Sequence, residues 1–121
     1  MRILHLAYAS DWNFAAQADE PYAVSTRGAT LDDAGFIHCA EPDQLAAVAE
    51  SAYRDEADPS ELLVLVMDSE QIESDGVDVR WEDGGAGVSY PHVYGPIKPE
   101  YVQDVLHADF DEDGRFRILD Q

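Results

Sequence analysis

One short run decides the fold of this chain, Leu62-Leu63-Val64-Leu65-Val66-Met67. Six residues are too few for a typical buried helix, and branched side chains suit the pleated surface of a strand. The run has no polar residue on either face, which is typical of a strand that is covered on both sides. It therefore predicts a central strand between two apolar layers.

The patterns on either side of this run predict a mixed α+β domain. Residues 2–8 alternate and predict a first strand, with His5 on the face opposite Leu4 and Leu6. Residues 21–34 form a polar connection, and loops of that length are often functional. The other predicted elements are a helix capped by Ser10, a strand from Phe36 to Cys39, a helix that begins at Pro42, a strand from Val77 to Glu82, a proline-rich turn region from Tyr90 to Pro99, and a hairpin of residues 102–109 and 115–119. This order predicts a single α+β domain over residues 1–121.

Two segments set a histidine among apolar and rigid neighbours, Gly35-Phe36-Ile37-His38-Cys39 and Pro91-His92-Val93-Tyr94-Gly95-Pro96. Histidine is the side chain that most easily changes its charge near pH 7. Proline restricts the backbone around the second histidine. The two segments therefore indicate a built pocket.

The charge of the chain argues against several classes of partner. It has 26 acidic residues against seven lysines and arginines, a net charge of −19. Nucleic acids are bound largely through lysine and arginine, so nucleic acids and anionic membranes are disfavoured. The same charge is typical of solubility or adaptation to salt. Cys39 is the only cysteine, and no apolar run has the length of a membrane helix, so we expect a cytoplasmic protein.

The histidine segments, together with Pro42-Asp43-Gln44 and Val79-Arg80-Trp81-Glu82, resemble the domain of unknown function 952 family. The opening Ile3-Leu4-His5-Leu6 also fits, and the resemblance spans roughly residues 3–110. The fold of that family resembles the ADP-ribosyltransferases. The resemblance implies a split β-core of two small, mainly antiparallel sheets with flanking helices, and a cleft between the sheets that binds NAD.

Together with the chemistry of the residues, the resemblance predicts a site. Its residues are His38 and Glu82 in catalysis, and His5, Arg80, His92 and Tyr94 in ligand binding. The ligand would be NAD or an ADP-ribose-like nucleotide, and the reaction would be cleavage or transfer at the nicotinamide ribose. Arg80 suits a phosphate, and Glu82 would steady a cationic sugar. The chain departs from the toxin-like enzymes of the fold group because it lacks their Ser-Thr-Ser segment and paired Glu-x-Glu.

The residues leave other interpretations open. The same histidines are consistent with a non-catalytic module for a small anionic metabolite, or with structural roles in a protein-interaction domain. No histidine or cysteine lies at metal-ligand spacing, so no metal is expected. We expect Cys39 to be a small buried side chain and His107 to lie at the surface. Four polar residues of the long connection are more typical of a solvated loop than of a pocket entrance: Tyr22, Ser25, Thr26 and Arg27.

Overall fold

A computed structural model describes residues 1–26, 29–53, 62–84 and 87–119 and has a mixed α+β fold with antiparallel sheets and few helices. This confirms the predicted class. The strands are β1 (Arg2–Tyr8), β2 (Val24–Thr26), β3 (Ala29–Thr30), β4 (Ile37–His38), β5 (Leu62–Asp68), β6 (Val79–Asp83), β7 (Ser89–Val93), β8 (Val102–Phe110) and β9 (Phe116–Ile118). The helices are α1 (Ala9–Ala18), α2 (Leu31–Ala34), α3 (Leu45–Tyr53), α4 (Ser69–Ser74) and a short 3-10 helix, Pro99–Tyr101.

The larger sheet has four antiparallel strands in the order β1-β5-β8-β9. Strand β5 lies inside it, with Leu65 opposite His5 on one side and Val105 on the other. The inner position predicted for residues 62–67 is therefore confirmed.

The smaller sheet has three antiparallel strands in the order β4-β7-β6. Its middle strand places Val93 opposite both Ile37 and Val79. These three side chains are buried in the core. Because successive side chains of a strand point to opposite faces, the neighbouring His38 and His92 lie on the other face of the sheet.

Two apolar clusters explain why β5 is apolar on both faces. One cluster joins Leu65 and its neighbours to Ile37 and Val93 of the smaller sheet, so it fills the space between the sheets. The other joins Val64 to Leu45 of α3 on the opposite face. Each face of β5 is thus covered by a different part of the chain.

The connection over residues 21–34 is more structured than its sequence predicts. Strands β2 and β3 pair with each other, and Thr30 begins α2 with a reciprocal cap to Asp33. Tyr22 and Ser25 are only 2% and 1% exposed, so the predicted solvated loop is wrong for these two residues. Strands of two or three residues are too short to show a period in the sequence.

Other boundaries also differ from the prediction. Helix α1 begins at Ala9, and Ser10 lies inside it rather than capping it. Helix α3 begins at Leu45, after a turn that contains Pro42. Residues 90–93 belong to β7 rather than to a turn region, although they include Pro91. The Pro91 carbonyl oxygen accepts a hydrogen bond from the Cys39 N–H, just past the end of β4. Proline has no N–H to donate, and here it lies where the pairing of β7 with β4 ends.

Arg27 lies outside the described residues. So do the turn that the sequence predicts from Asp55 to Ser60 and part of the loop that it predicts at Gly84, Gly85 and Gly87. None of the described helices combines the length and the hydrophobicity that crossing a bilayer requires.

Candidate functional site

The outer face of the smaller sheet gathers ionisable side chains. Because β7 is the middle strand, His38, His92 and Arg80 lie opposite one another in a single row. The imidazole rings of His38 and His92 are 5.4 Å apart between centroids. We call this surface the histidine face; it consists of Phe36, His38, Arg80, Glu82, His92 and Tyr94. The structure thus brings together five of the six residues that the sequence predicts for a site.

Ser25 anchors His38 from strand β2. The serine hydroxyl donates to the Phe36 carbonyl oxygen and lies 2.8 Å from His38 Nδ1. It also accepts from the His38 backbone N–H at 3.2 Å. Partial burial, and then the nearby His92, lower the pKa of His38 below its ordinary value. His38 is therefore a neutral ring at pH 7, held through its main chain and its Nδ1 atom.

Glu82 anchors His92 in a similar way. Its Oε1 atom lies 2.7 Å from His92 Nδ1 and also accepts the Tyr94 hydroxyl. These two hydrogen bonds, that of Tyr94 first, lower the pKa of Glu82. An ionised carboxylate only accepts, so His92 Nδ1 carries the proton. Glu82, which the sequence predicts as catalytic, is paired with His92. The Glu82 side chain is 38% exposed.

Phe36 packs the aromatic rings of the face together. Its ring stacks on His92 with centroids 3.9 Å apart and planes 14° apart. It also lies 4.7 Å from His38 and 5.5 Å from Tyr94 between centroids. Phe36 therefore covers one side of the His92 ring, and a ligand ring has no room between the two.

Arg80 supplies positive charge at the edge of the face. Its guanidinium lies 4.7 Å from the centroid of the Tyr94 ring, and Nη2 donates to Asp78 at 3.1 Å. Stacking on an aromatic ring leaves the planar donors of an arginine able to bind an oxyanion. More than half of the Arg80 side chain is exposed, so an anion in solvent can reach it.

His5 lies one layer beneath the histidine face. It is 1% exposed, with Nδ1 2.6 Å from the His38 carbonyl oxygen and Nε2 3.0 Å from the Tyr22 hydroxyl. Burial lowers the pKa of His5 to about 4, so the ring is neutral at pH 7. The structure thus places His5 between the sheets as a link from β1 to β4, and not among the side chains of the face.

The space between the sheets differs from the cleft that the resemblance implies, because apolar side chains fill it in the described part of the chain. A separate narrow cavity lies beside His38 and is lined mainly by Leu4, Leu6, Leu45 and Val48. The volume of the cavity that the centre of a water molecule can occupy is about 30 Å³, which holds about two waters. This cavity is too small for a nucleotide.

Cys39 and His107 stand apart from this chemistry. Cys39 is 6% exposed, and burial raises the pKa of its thiol far above the ordinary value. It is the small buried side chain that the sequence predicts. His107 is exposed on β8, as predicted.

The acidic turn before β9 forms ordinary turn contacts. Asp111 accepts the backbone N–H groups of Asp113 and Arg115, and Asp109 pairs with Arg117. Within the described ranges, no cluster of three or more metal-binding side chains occurs.

Sequence reasoning missed Phe36 and Ser25 as parts of the site. Phe36 was visible as the residue that shares a strand face with His38, two positions away. Ser25 gave no comparable signal, because it reaches His38 only through the pairing of two short, distant segments.

Comparison with known proteins places the chain in a family. The family described as Protein of unknown function (DUF952) matches residues 6–105, which include both histidine segments. The chain belongs to the DUF952 family. The predicted family is therefore confirmed. No curated protein matches the chain.

Solved structures of one protein share the fold. The crystal structure of protein CC0527 from Caulobacter crescentus is 24% identical, covers 97% of this chain and 94% of that chain, and has a TM-score of 0.79. Its solution NMR structure, also 24% identical, covers 94% of this chain and 90% of that chain with a TM-score of 0.72. At this identity the likeness concerns the fold alone, which this DUF952 chain shares with CC0527 over nearly its whole length.

Proposed function

We propose that the histidine face binds NAD or an ADP-ribose-like nucleotide, and that the two-sheet core is of the ADP-ribosyltransferase-like kind. The separate four-stranded and three-stranded antiparallel sheets support the second part. A nucleotide of this class carries ribose hydroxyls and phosphates, and the face holds polar partners for both. The net charge of −19 argues against nucleic acid or an anionic membrane as the partner.

One observation carries the proposal: two imidazoles lie in one row, each held at Nδ1 by a protein acceptor. Ser25 holds His38, and Glu82 holds His92. Among the described residues none binds the Nε2 atom of either ring, so both atoms are available as acceptors, His38 on an exposed ring and His92 on a ring of a residue that is 7% exposed. Arg80, in the same row, adds a guanidinium.

The chemistry of these groups predicts which part of the ligand each of them binds. A neutral imidazole accepts at Nε2, so a ribose hydroxyl or a water is the natural partner of His38. A guanidinium donates to phosphate oxygens, so the phosphates lie toward Arg80. Hydroxyls and phosphates of one nucleotide then meet different residues of the same row.

The reaction that fits is cleavage at the nicotinamide ribose, in which the bond from C1′ to nicotinamide breaks with its electron pair on nicotinamide, and water or an acceptor hydroxyl bonds to C1′. The proton of that water or hydroxyl passes to solvent, and His38 orients the ribose through its Nε2 atom. The ionised Glu82 and the acidic surface favour positive charge that develops on the sugar.

A second candidate is a non-catalytic module for a small anionic metabolite. The exposure of Arg80 favours it, because an anion could bind there without any chemistry. This candidate predicts that inorganic phosphate alone binds as well as a nucleotide does.

The test is a thermal shift with NAD, ADP-ribose and inorganic phosphate at millimolar concentration. A ligand that binds only the folded state raises the melting temperature. We expect a rise with NAD and ADP-ribose that is lost in His38→Ala and His92→Ala and kept in His107→Ala, an exposed histidine far from the face. Turnover of NAD above background in the wild type and not in His38→Ala supports an enzyme. A shift with phosphate alone supports the module, and no shift with any of the three refutes both candidates.

A further inference from the structure

The hydroxyl of Ser25 decides which nitrogen of His38 carries the proton. A carbonyl oxygen can only accept, so the single hydroxyl proton goes to the Phe36 carbonyl, 2.5 Å away. The oxygen of the hydroxyl then faces the backbone N–H of His38 at 3.2 Å and its Nδ1 atom at 2.8 Å. Since Ser25 has no second proton to give, Nδ1 must donate.

Glu82 imposes the same state on His92. Its carboxylate is ionised and only accepts, and its Oε1 atom lies 2.7 Å from Nδ1. In the neutral form of either ring, the proton is therefore on Nδ1 and the lone pair is on Nε2. A free histidine prefers the opposite arrangement. Two different acceptors, one on β2 and one on β6, impose the less common tautomer on two adjacent rings.

We infer that Ser25 and Glu82 are positioning residues that hold His38 and His92 as Nδ1–H tautomers, so that the site takes its ligand through sugar hydroxyls that donate to the two Nε2 atoms. The inference rests on the proposed function and makes it more specific. It assigns the ribose diol, and not the phosphates, to the histidines.

The pattern of hydrogen-bond donors and acceptors at the two rings distinguishes a phosphate from a hydroxyl. A phosphate oxygen and a neutral Nε2 both accept, so they cannot bind each other directly, whereas a hydroxyl donates to Nε2. The two rings are 5.4 Å apart between centroids, a separation on the scale of one sugar ring. A ligand that lacks one hydroxyl leaves one Nε2 without a donor, and sites built to bind a hydroxyl discriminate strongly against its absence.

The first measurement needs no ligand. Nitrogen-15 NMR of the imidazole rings at pH 7.5 distinguishes the protonated nitrogen from the unprotonated one. We expect a proton on Nδ1 and none on Nε2 in both His38 and His92 of the wild type, and a proton on Nε2 of either ring overturns the inference.

Two variants then test the positioning residues separately. Ser25→Ala should convert His38 to the Nε2–H form and leave His92 unchanged, and Glu82→Ala should do the reverse. Ser10→Ala, at an exposed serine of α1, is the matched control and should change neither ring. Because Ser25 is buried and its loss threatens folding, Glu82→Ala at a partly exposed position supplies the same test in a chain that we expect to stay folded. A folded Ser25→Ala or Glu82→Ala protein with unchanged tautomers overturns the positioning role.

The ligand arm compares ribose 5-phosphate with 2-deoxyribose 5-phosphate, followed through the Nε2 resonances of the wild type. We expect the deoxy sugar to bind at least about tenfold more weakly, with the resonances of His38 and His92 shifting for ribose 5-phosphate. Equal binding of the two sugars refutes hydroxyl recognition but leaves a sugar-phosphate site. If neither sugar binds, hydroxyl recognition is refuted. The proposed function is refuted as well only if NAD and ADP-ribose also fail to bind.

Discussion

His5 makes the stability of this fold sensitive to mild acid. The buried ring has a pKa of about 4, against an ordinary value of 6.5 in the unfolded chain. As the pH falls below 6.5, the unfolded chain gains a proton at this histidine that the folded chain does not accept until about pH 4. At about 1.4 kcal/mol for each pH unit, full protonation of the unfolded chain lowers the free energy of unfolding by about 3 kcal/mol. His38, whose pKa is also lowered, acts in the same direction.

The assay is urea unfolding at several pH values between 8 and 4.5, followed by tryptophan fluorescence. High salt keeps repulsion among the carboxylates nearly constant. Carboxylates with lowered pKa values, such as that of Asp68, stay ionised throughout this window, so their contribution is lost only at lower pH. We expect the free energy of unfolding to be constant above pH 7 and to fall steadily below pH 6.5.

The control that isolates His5 is His5→Asn, because the asparagine amide does not titrate and can still donate to the His38 carbonyl. This variant should be less stable at pH 8 and should show a much flatter dependence between pH 6.5 and 4.5. Ser10→Ala, which removes no titratable group, should keep the slope of the wild type. If His5→Asn and the wild type lose stability in parallel, the reasoning from burial to pKa to stability is wrong.

Three further predictions concern packing, charge and the thiol. Leu65→Ala, at a fully buried position of β5, should cost about 2–5 kcal/mol in urea unfolding, whereas Leu119→Ala, at a position 52% exposed, should cost less than about 0.5 kcal/mol; similar losses would contradict the placement of β5. Raising NaCl from 0.05 to 1 M should raise the melting temperature, since the net charge of −19 is screened over shorter distances, and an unchanged or lower value would show that repulsion does not limit stability. Buried Cys39 should react with a thiol reagent only at the rate at which the native fold opens, and rapid labelling of the folded protein would contradict its burial.

The sequence predicts the larger sheet well, because its strands carry long patterns. Residues 2–8 and 62–67 each repeat an apolar side chain often enough to identify a strand. The closing hairpin of β8 and β9 is also predicted from its turn residues. The α+β class follows from these elements, and the mainly antiparallel sheets are what the family resemblance implies.

Two of the short strands could not be predicted, because their positions depend on tertiary contacts. Strand β2 has three residues and β3 has two, too few for a period, whereas β4 lies within the strand predicted from Phe36 to Cys39. Ser25 is buried because β2 lies beside β4, a contact that no local pattern encodes.

The histidine segments predict part of the candidate site. His38 and His92 meet because each is flanked by apolar residues that face the core, so the alternation of the strands sends both rings outward. The alternation of β1 places His5 opposite Leu4 and Leu6, and this is confirmed. The same alternation does not reveal that the smaller sheet covers the side of β1 that carries His5.

The middle position of β7 limits how this family can change its length. An insertion or deletion of one residue between Tyr90 and Tyr94 would invert the strand, turning His92 inward and Val93 out to water. Both flanking strands would lose partners at once, because β6 pairs with all five residues of β7 and β4 pairs with the last two of them. Evolution can therefore lengthen or shorten the connection from β6 to β7, while gaps within β7 itself should be rare among descendants that keep the histidine pair.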